Sequence, residues 1–205
     1  MKPGRRALGV AFSDGETAST CAGAVVRADR VVDRLGFERC TVGGDDATAA
    51  TAALIDRIDR PDVSVLLLAG VAPAWFNVLD LSRIHAETGL PTLSVSFEAS
   101  PGLAPAIRAQ FDGEARAWRL DAYESLPPRR SLSVNDERVF VRGVGVDTPA
   151  ATTNSDDDEV PPLEPNCEAA QFVRGFTPDG GRPEPLRVAR TAARAGRELG
   201  ERLDS

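Results

Sequence analysis

Five acidic residues stand where this sequence changes from one pattern to the next: Asp14, Asp45, Asp46, Asp80 and Glu98. Carboxylates at strand ends can hold hard cations, which activate water and take up charge on a phosphate. Asp14 and Asp46 are candidate metal ligands in this sense. Asp14, Asp45, Asp46 and Asp80 are candidate catalytic groups. Each also has a structural use. Asp45 or Asp46 can cap the helix that follows, a contact that stabilises by about 1 kcal/mol. Asp14 lies in a Ser-Asp-Gly turn, and turns favour aspartate. Four further residues are candidate ligand contacts: Thr48, Trp75, Phe76 and Asn77. Trp75 and Phe76 can stack on a nucleobase, or cover the end of a sheet as core. Thr48 can be a first-turn helix residue, and Asn77 and Asp80 can cap a helix. His85 reads as a surface residue on a helix. Arg182, Arg187, Arg190, Arg194 and Arg197 form a basic stripe that can contact a nucleic acid or, interleaved with Glu184, Glu198 and Glu201, pair off as a salt-bridged face, the reading this pattern favours.

These residues need elements to hold them. Residues 65–69 form the longest apolar run, Val-Leu-Leu-Leu-Ala, and a run without alternation predicts a strand buried on both faces. Gly70 breaks it, and a loop behind such a strand is where α/β proteins place a site. Upstream, residues 6–12, 21–27 and 31–42 read as strands of a meander, separated by turn signals. An alanine-rich helix over 47–60 stops before Pro61. Downstream the patterns predict a helix over 77–88 ending at Gly89, a strand over 91–97 and a short helix over 101–111. Residues 116–120 read as a short helix or strand, and 138–146 as a late strand. Helices follow over 166–174 and 185–203. The acidic run within 148–165 reads as a mobile insertion on a single domain spanning 1–205. The order β-β-β-α-β-α-β-α predicts a ribonuclease H-like mixed α/β sheet, a β-meander followed by α/β units, flanked by helices. No glycine-rich phosphate loop, zinc-ligand spacing or nucleophile elbow is present.

Composition narrows the setting. The chain has 205 residues and a formal net charge of −7. Lys2 is its one lysine, so almost all positive charge is arginine. An acidic, lysine-poor surface fits a halophile, whose acidity is a solubility adaptation that leaves nucleic-acid binding open. Cys21, Cys40 and Cys167 lack metal-ligand spacing and fit reduced thiols in a cytoplasm. No apolar run is long enough to span a membrane, and no signal peptide is read at the N-terminus. Oligomeric state is not legible.

Five separated pieces occur in order: Val42-Gly43-Gly44-Asp45-Asp46-Ala47-Thr48, Leu68-Ala69-Gly70-Val71, Trp75 to Asp80, Thr88-Gly89-Leu90-Pro91-Thr92, and Arg182 to Ala189. Together they resemble an archaeal family, domain-of-unknown-function family ninety-nine, which is similar to endonuclease V. The resemblance implies a ribonuclease H-like fold and a nucleic-acid or nucleotide partner. It also implies carboxylate-held magnesium or manganese where a member is catalytic. The sequence departs from the nuclease pattern at Ala69, which stands where the relative holds an aspartate, and at Ser96-Phe97-Glu98, where a lysine is absent. The expectation is an endonuclease V-like protein with a degraded metal site. The alternatives are an active metal-dependent nuclease with a rearranged carboxylate site, and a non-enzymatic interaction protein using Trp75 and Phe76.

Overall fold

A computed structural model of the chain describes residue 2 and residues 4–151 and 160–203. Among the described residues the strands are β1 (Arg6–Asp14), β2 (Ala18–Arg27), β3 (Val32–Thr41), β4 (Val63–Ala69), β5 (Thr92–Ser96), β6 (Arg130–Val134) and β7 (Glu137–Val144). They form one mixed sheet in the order β3-β2-β1-β4-β5-β7-β6. The meander β1-β2-β3 is antiparallel, while β4 runs parallel to both β1 and β5. This is the ribonuclease H-like arrangement that the element order predicts.

The sheet is covered on both faces. Helices α1 (Ala47–Ile58) and α3 (Leu81–Thr88) pack on one side, with Leu54, Ile58, Leu81 and Ile84 against Leu66 and Leu68 of β4. Helices α6 (Glu168–Gly175) and α7 (Glu184–Leu203) pack on the other, with Phe172, Phe176 and Leu186 against Val65 and Leu67. Successive β4 side chains therefore enter opposite cores, which is why the strand lacks polar alternation. Between α3 and β6 lie α4 (Ala104–Gln110) and α5 (Gly113–Glu124).

Glycines set how closely the layers approach. A Cβ on Gly9 would lie 2.3 Å from the Pro185 backbone, so β1 and the start of α7 meet backbone to backbone. Gly23 and Gly36 are cross-strand neighbours on β2 and β3. Ile58 sits in the space above them, at 2.6 Å and 2.8 Å from the two absent Cβ positions.

Several local expectations are corrected. The helix expected over 77–88 starts at Leu81, because Asp80 takes an extended conformation and its carboxylate accepts from Arg83 N at 2.9 Å. Pro73–Phe76 instead makes a single turn, α2, in which Ala74, Trp75 and Phe76 have φ of +47°, +55° and +59°. Residues 116–120 belong to the longer helix α5. The strand β6 escaped the pattern reading. It joins β7 through Asn135 and Asp136, both at positive φ, the requirement of a tight hairpin turn. His85 is half-buried: its Nδ1 lies 2.8 Å from the Leu90 carbonyl oxygen, and its ring fills the space beside Gly145. Of the stretch 148–165, residues 152–159 lie outside the described residues. Its flanks are tied by Ala150 pairing with Leu163 and Ser131 with Pro162. No helix among the described residues is long and apolar enough to cross a membrane.

Candidate nucleic-acid interface

The parallel strands β1, β4 and β5 end on one edge of the sheet, the edge where open α/β sheets bind ligands. The carboxylates singled out by sequence reach different fates there. Asp14, exposed at the end of β1, accepts from Ser19 Oγ at 2.7 Å. Asp46 holds the N-cap position of α1 without capping it. Its carboxylate turns back to accept from Thr41 N at 3.0 Å, Thr41 Oγ1 at 2.8 Å and Asn77 Nδ2 at 2.8 Å. Burial pushes Asp46 up, but the Thr41 amide and the Asn77 and Thr41 side chains outweigh it and hold the carboxyl below its usual range. Asn77 is fully buried, and its Oδ1 takes over the vacant capping role by accepting from Ala47 N at 3.0 Å. Thr48 and Asp80 also meet, with Asp80 N donating to Thr48 Oγ1 at 2.9 Å. Asp45 is exposed and acts on Arg119 only through its charge. Glu98 is exposed beyond β5. Among the described residues, no three His, Cys, Asp or Glu side chains come together to hold a metal ion. A three-carboxylate cage therefore does not fit this edge.

The aromatic candidates form a different structure. Trp75 is 54% exposed, while Phe76 is half-buried. The Trp75 ring meets Phe76 edge to face at 5.5 Å, and Phe76 meets Phe111 in the same way at 5.5 Å. The buried guanidinium of Arg119 lies 3.9 Å over Phe111 and 4.1 Å over Trp118. It donates to the carbonyl oxygens of Ala115 and Gly43. Burial pulls Arg119 below the usual guanidinium range, and Asp45 opposes that. Three consecutive left-handed residues without glycine cost of order 1 kcal/mol or more each. The turn is held by Gly43 N donating to Ala74 O at 2.7 Å, Asn77 N to Pro73 O at 2.9 Å and Leu79 N to Val71 O at 2.8 Å. The outcome is a rigid turn that presents one indole to solvent.

Beside that turn lies a cleft of about 320 Å³, which the sequence reading missed. Its floor is the end of β4 and β5, with Gly70, Val71, Pro73 and Ser96. Its walls carry Arg129, Arg142, Arg182 and Arg190. Arg129 lies 3.9 Å over Phe140 and donates to the carbonyl oxygens of Glu98 and Ser100, at 2.6 Å and 2.9 Å. Arg182 lies 3.9 Å over Phe97. Arg142 donates to Tyr123 Oη at 3.2 Å and to the Pro127 carbonyl oxygen. Among the described residues, none of these four arginines forms an ion pair with a carboxylate. Burial lowers Arg129 and Arg182; Tyr123 opposes this and Arg142 adds to it on the first, while Arg190 and Arg194 add to it and Glu137 opposes it on the second. In a chain of net charge −7, four converging and unpaired guanidinium groups are arranged for an external anion. Arg142 comes from β7, Arg129 from the loop before β6, Arg182 from the loop before α7 and Arg190 from α7 itself. Sequence spacing alone could not bring them together.

The comparisons agree with the fold. A family model described as Endonuclease dU matches residues 3–156. A UPF0215 protein of Pyrobaculum aerophilum is 29% identical over 94% of this chain and 94% of its own length. One from Thermococcus kodakarensis is 33% identical over 76% of this chain and 69% of its own. Among solved structures, a protein of unknown function from Archaeoglobus fulgidus superposes with a TM-score of 0.73 at 21% identity, covering 93% of this chain and 97% of the other. Human ENDOV superposes with a TM-score of 0.58 at 13% identity, covering 98% and 87%. At these identities the structural matches speak for a shared endonuclease V-like fold. With three quarters of its length matched by the family model, the chain belongs to the Endonuclease dU family.

Proposed function

We propose that this protein binds a single-stranded or locally opened nucleic acid across the β4–β5 edge. The arginine cleft takes the phosphates and Trp75 stacks on a base. The observation that carries this reading is the set of four unpaired arginines lining a cleft beside an exposed, rigidly held indole. Backbone-directed arginines with an adjacent stacking ring are the usual means of holding a single strand. The family name points to deoxyuridine as the marked base. An endonuclease V of Ciona intestinalis has been solved with DNA containing inosine, another deaminated base. The lysine-poor, acidic composition supports a haloarchaeal source, and binding then has to work against high salt.

The test is fluorescence anisotropy on labelled single strands that differ by one uracil, inosine or thymine, with Arg129→Gln, Arg182→Gln and Trp75→Ala variants. The expected result is weaker binding for every variant. Binding left unchanged by both arginine substitutions would sink the proposal.

A second reading, metal-dependent cleavage, is favoured by one observation. Asp14 accepts from Ser19 and Asp46 from Thr41, and Ser19 pairs with Cys40, the neighbour of Thr41, across the β2–β3 ladder, so two carboxylates lie near one point at the edge of the meander. Magnesium binds through one or two carboxylates when a phosphate supplies further oxygens. Cleavage of uracil- or inosine-containing DNA and RNA with magnesium or manganese in concentrated potassium chloride tests it. Activity indifferent to both Asp14→Asn and Asp46→Asn would exclude these two as ligands.

A further inference from the structure

The far edge of the sheet carries an unexplained surface. β3 is an edge strand of ten residues, and its outer side pairs with nothing among the described strands. Of the seven large hydrophobic side chains exposed among the described residues, six gather here, and Trp75 is the exception. Val31 and Val32 are each 43% exposed, Leu35 45% and Phe37 42%. Leu199 and Leu203 of α7 share a groove with Phe37. Charges such as Asp33, Arg34, Glu38 and Arg39 punctuate β3, yet its apolar patch beside α7 stays uncovered, and such a patch calls for a partner.

The sequence of β3 indicates which partner. Thr41 directs its N–H outward to Asp46, while Val42 directs its N–H inward to Thr17. By alternation along the strand, Leu35 and Phe37 present their backbone N–H and C=O groups to the outside, where the exposed Arg57 side chain reaches the Phe37 carbonyl oxygen at 3.5 Å and a partner strand would displace it. An antiparallel pairing of two copies about a two-fold axis at Gly36 sets Leu35 of one opposite Phe37 of the other, both on the α7 face. It sets Arg34 opposite Glu38 on the α1 face, and Gly36 opposite Gly36. Every pair in that register is matched, apolar with apolar and cation with anion, with Glu38 also held by Arg57 of its own chain at 2.8 Å. Centring the axis on Phe37 instead puts Leu35 opposite Arg39 and Arg34 opposite Cys40, and both matches are lost. The bulge between Val25 and Val26 limits the regular stretch to residues from Arg34 onward.

We infer that two copies of this chain join edge to edge through β3, centred on Gly36, to make one continuous fourteen-stranded sheet. The interface is self-complementary, as a two-fold contact requires. It lies at the opposite side of the sheet from β6, leaving the arginine clefts open.

Light scattering and sedimentation velocity on the full chain at physiological ionic strength test this. The wild type is expected at twice the 21.7 kDa chain mass. Arg34→Glu and Glu38→Arg should each weaken dimerisation at least tenfold, because each change acts twice across the axis. The combined Arg34→Glu/Glu38→Arg protein should recover it. Leu35→Lys should give a monomer with a native circular dichroism spectrum. A wild-type monomer overturns the inference. So does a dimer that survives Leu35→Lys, or a charge-swapped double variant no better than the singles.

Discussion

Asp46 illustrates how one side chain can satisfy a structural need in an unexpected way. A cap was expected of it, yet it binds Thr41 while Asn77 caps the helix from outside. Asn77 thus ties α1, the end of β3 and the Trp75 turn through its two polar atoms. Asn77→Ala would leave Ala47 N–H without its partner and take one donor each from Asp46 and the Thr41 carbonyl oxygen. The expected loss is about 2–3 kcal/mol, read as a lower midpoint in urea. Trp75→Ala, at an exposed site, should leave that midpoint almost unchanged while weakening single-strand binding by about 1–3 kcal/mol. The same neighbourhood sets the response to pH. Asp46 titrates below its unfolded value of about 3.9, so its stabilisation is present above that pH and is lost as pH falls through the folded value. Cys40 runs the other way. Burial first, then Asp46 and Asp14, push its thiol up to about 12. The folded chain keeps a proton that the unfolded chain releases near pH ~8.5, so stability falls as pH rises above that point. Burial raises Cys21 as well, with the Cys40 charge adding to it. Melting temperatures measured across pH should therefore decline on both sides of neutrality, and Cys40→Ala should soften the alkaline decline. An alkaline limb identical in that variant would remove the thiol from the account.

Elements meet through small residues more than through large ones. Along β1 the positions facing α7 are Ala7, Gly9 and Ala11, and α7 answers with Pro185 and Ala189. Gly9→Ala drives a methyl into backbone that cannot yield, so it should destabilise by more than the ~1–3 kcal/mol of ordinary overpacking. Gly23→Ala meets the Ile58 Cδ1 instead, a methyl that can be deleted. A double-mutant cycle of Gly23→Ala with Ile58→Val should show recovery, and a cycle of Gly9→Ala with the same change should show none. Much of this level was legible in the sequence. The β4 run, the three-strand meander and the two long helices declare themselves by period, because each buries a whole face. The short elements did not. β6 has only five residues, and its hairpin signal, Asn135-Asp136, is weaker than a glycine turn. Pro73–Phe76 has no pattern at all, since nothing in an Ala-Trp-Phe run foretells three left-handed residues. The candidate acids were found by type, but hydrogen bonds to neighbours distant in sequence, which decide their roles, have no local signature.

At the scale of the molecule, charge is distributed against its own average. The chain is acidic, and its surface arginines largely pair with nearby carboxylates, as Arg6 does with Asp33 and Arg187 with Glu184. The cleft arginines are withheld from that pairing; Arg182, Arg129 and Arg142 lie against Phe97, Phe140 and Tyr123, while Arg190 is exposed. Two of them, Arg182 and Arg190, lie beyond the segment matched by the family model. The C-terminal helix and the loop that enters it therefore contribute both the tight packing on β1 and half of the anion site. This division predicts how binding responds to salt. Each phosphate contact to a single strand steepens the fall of log affinity with log salt by about 0.7. Arg182→Gln should flatten that slope by about one contact, and Arg182→Gln with Arg129→Gln by about two. Exposed Arg83, already paired with Glu87, should leave the slope unchanged when replaced by glutamine. A slope insensitive to the cleft arginines would mean that the strand lies elsewhere on the molecule. If the slope flattens while the preference for uracil over thymine persists, the arginines position the backbone and a separate group reads the base.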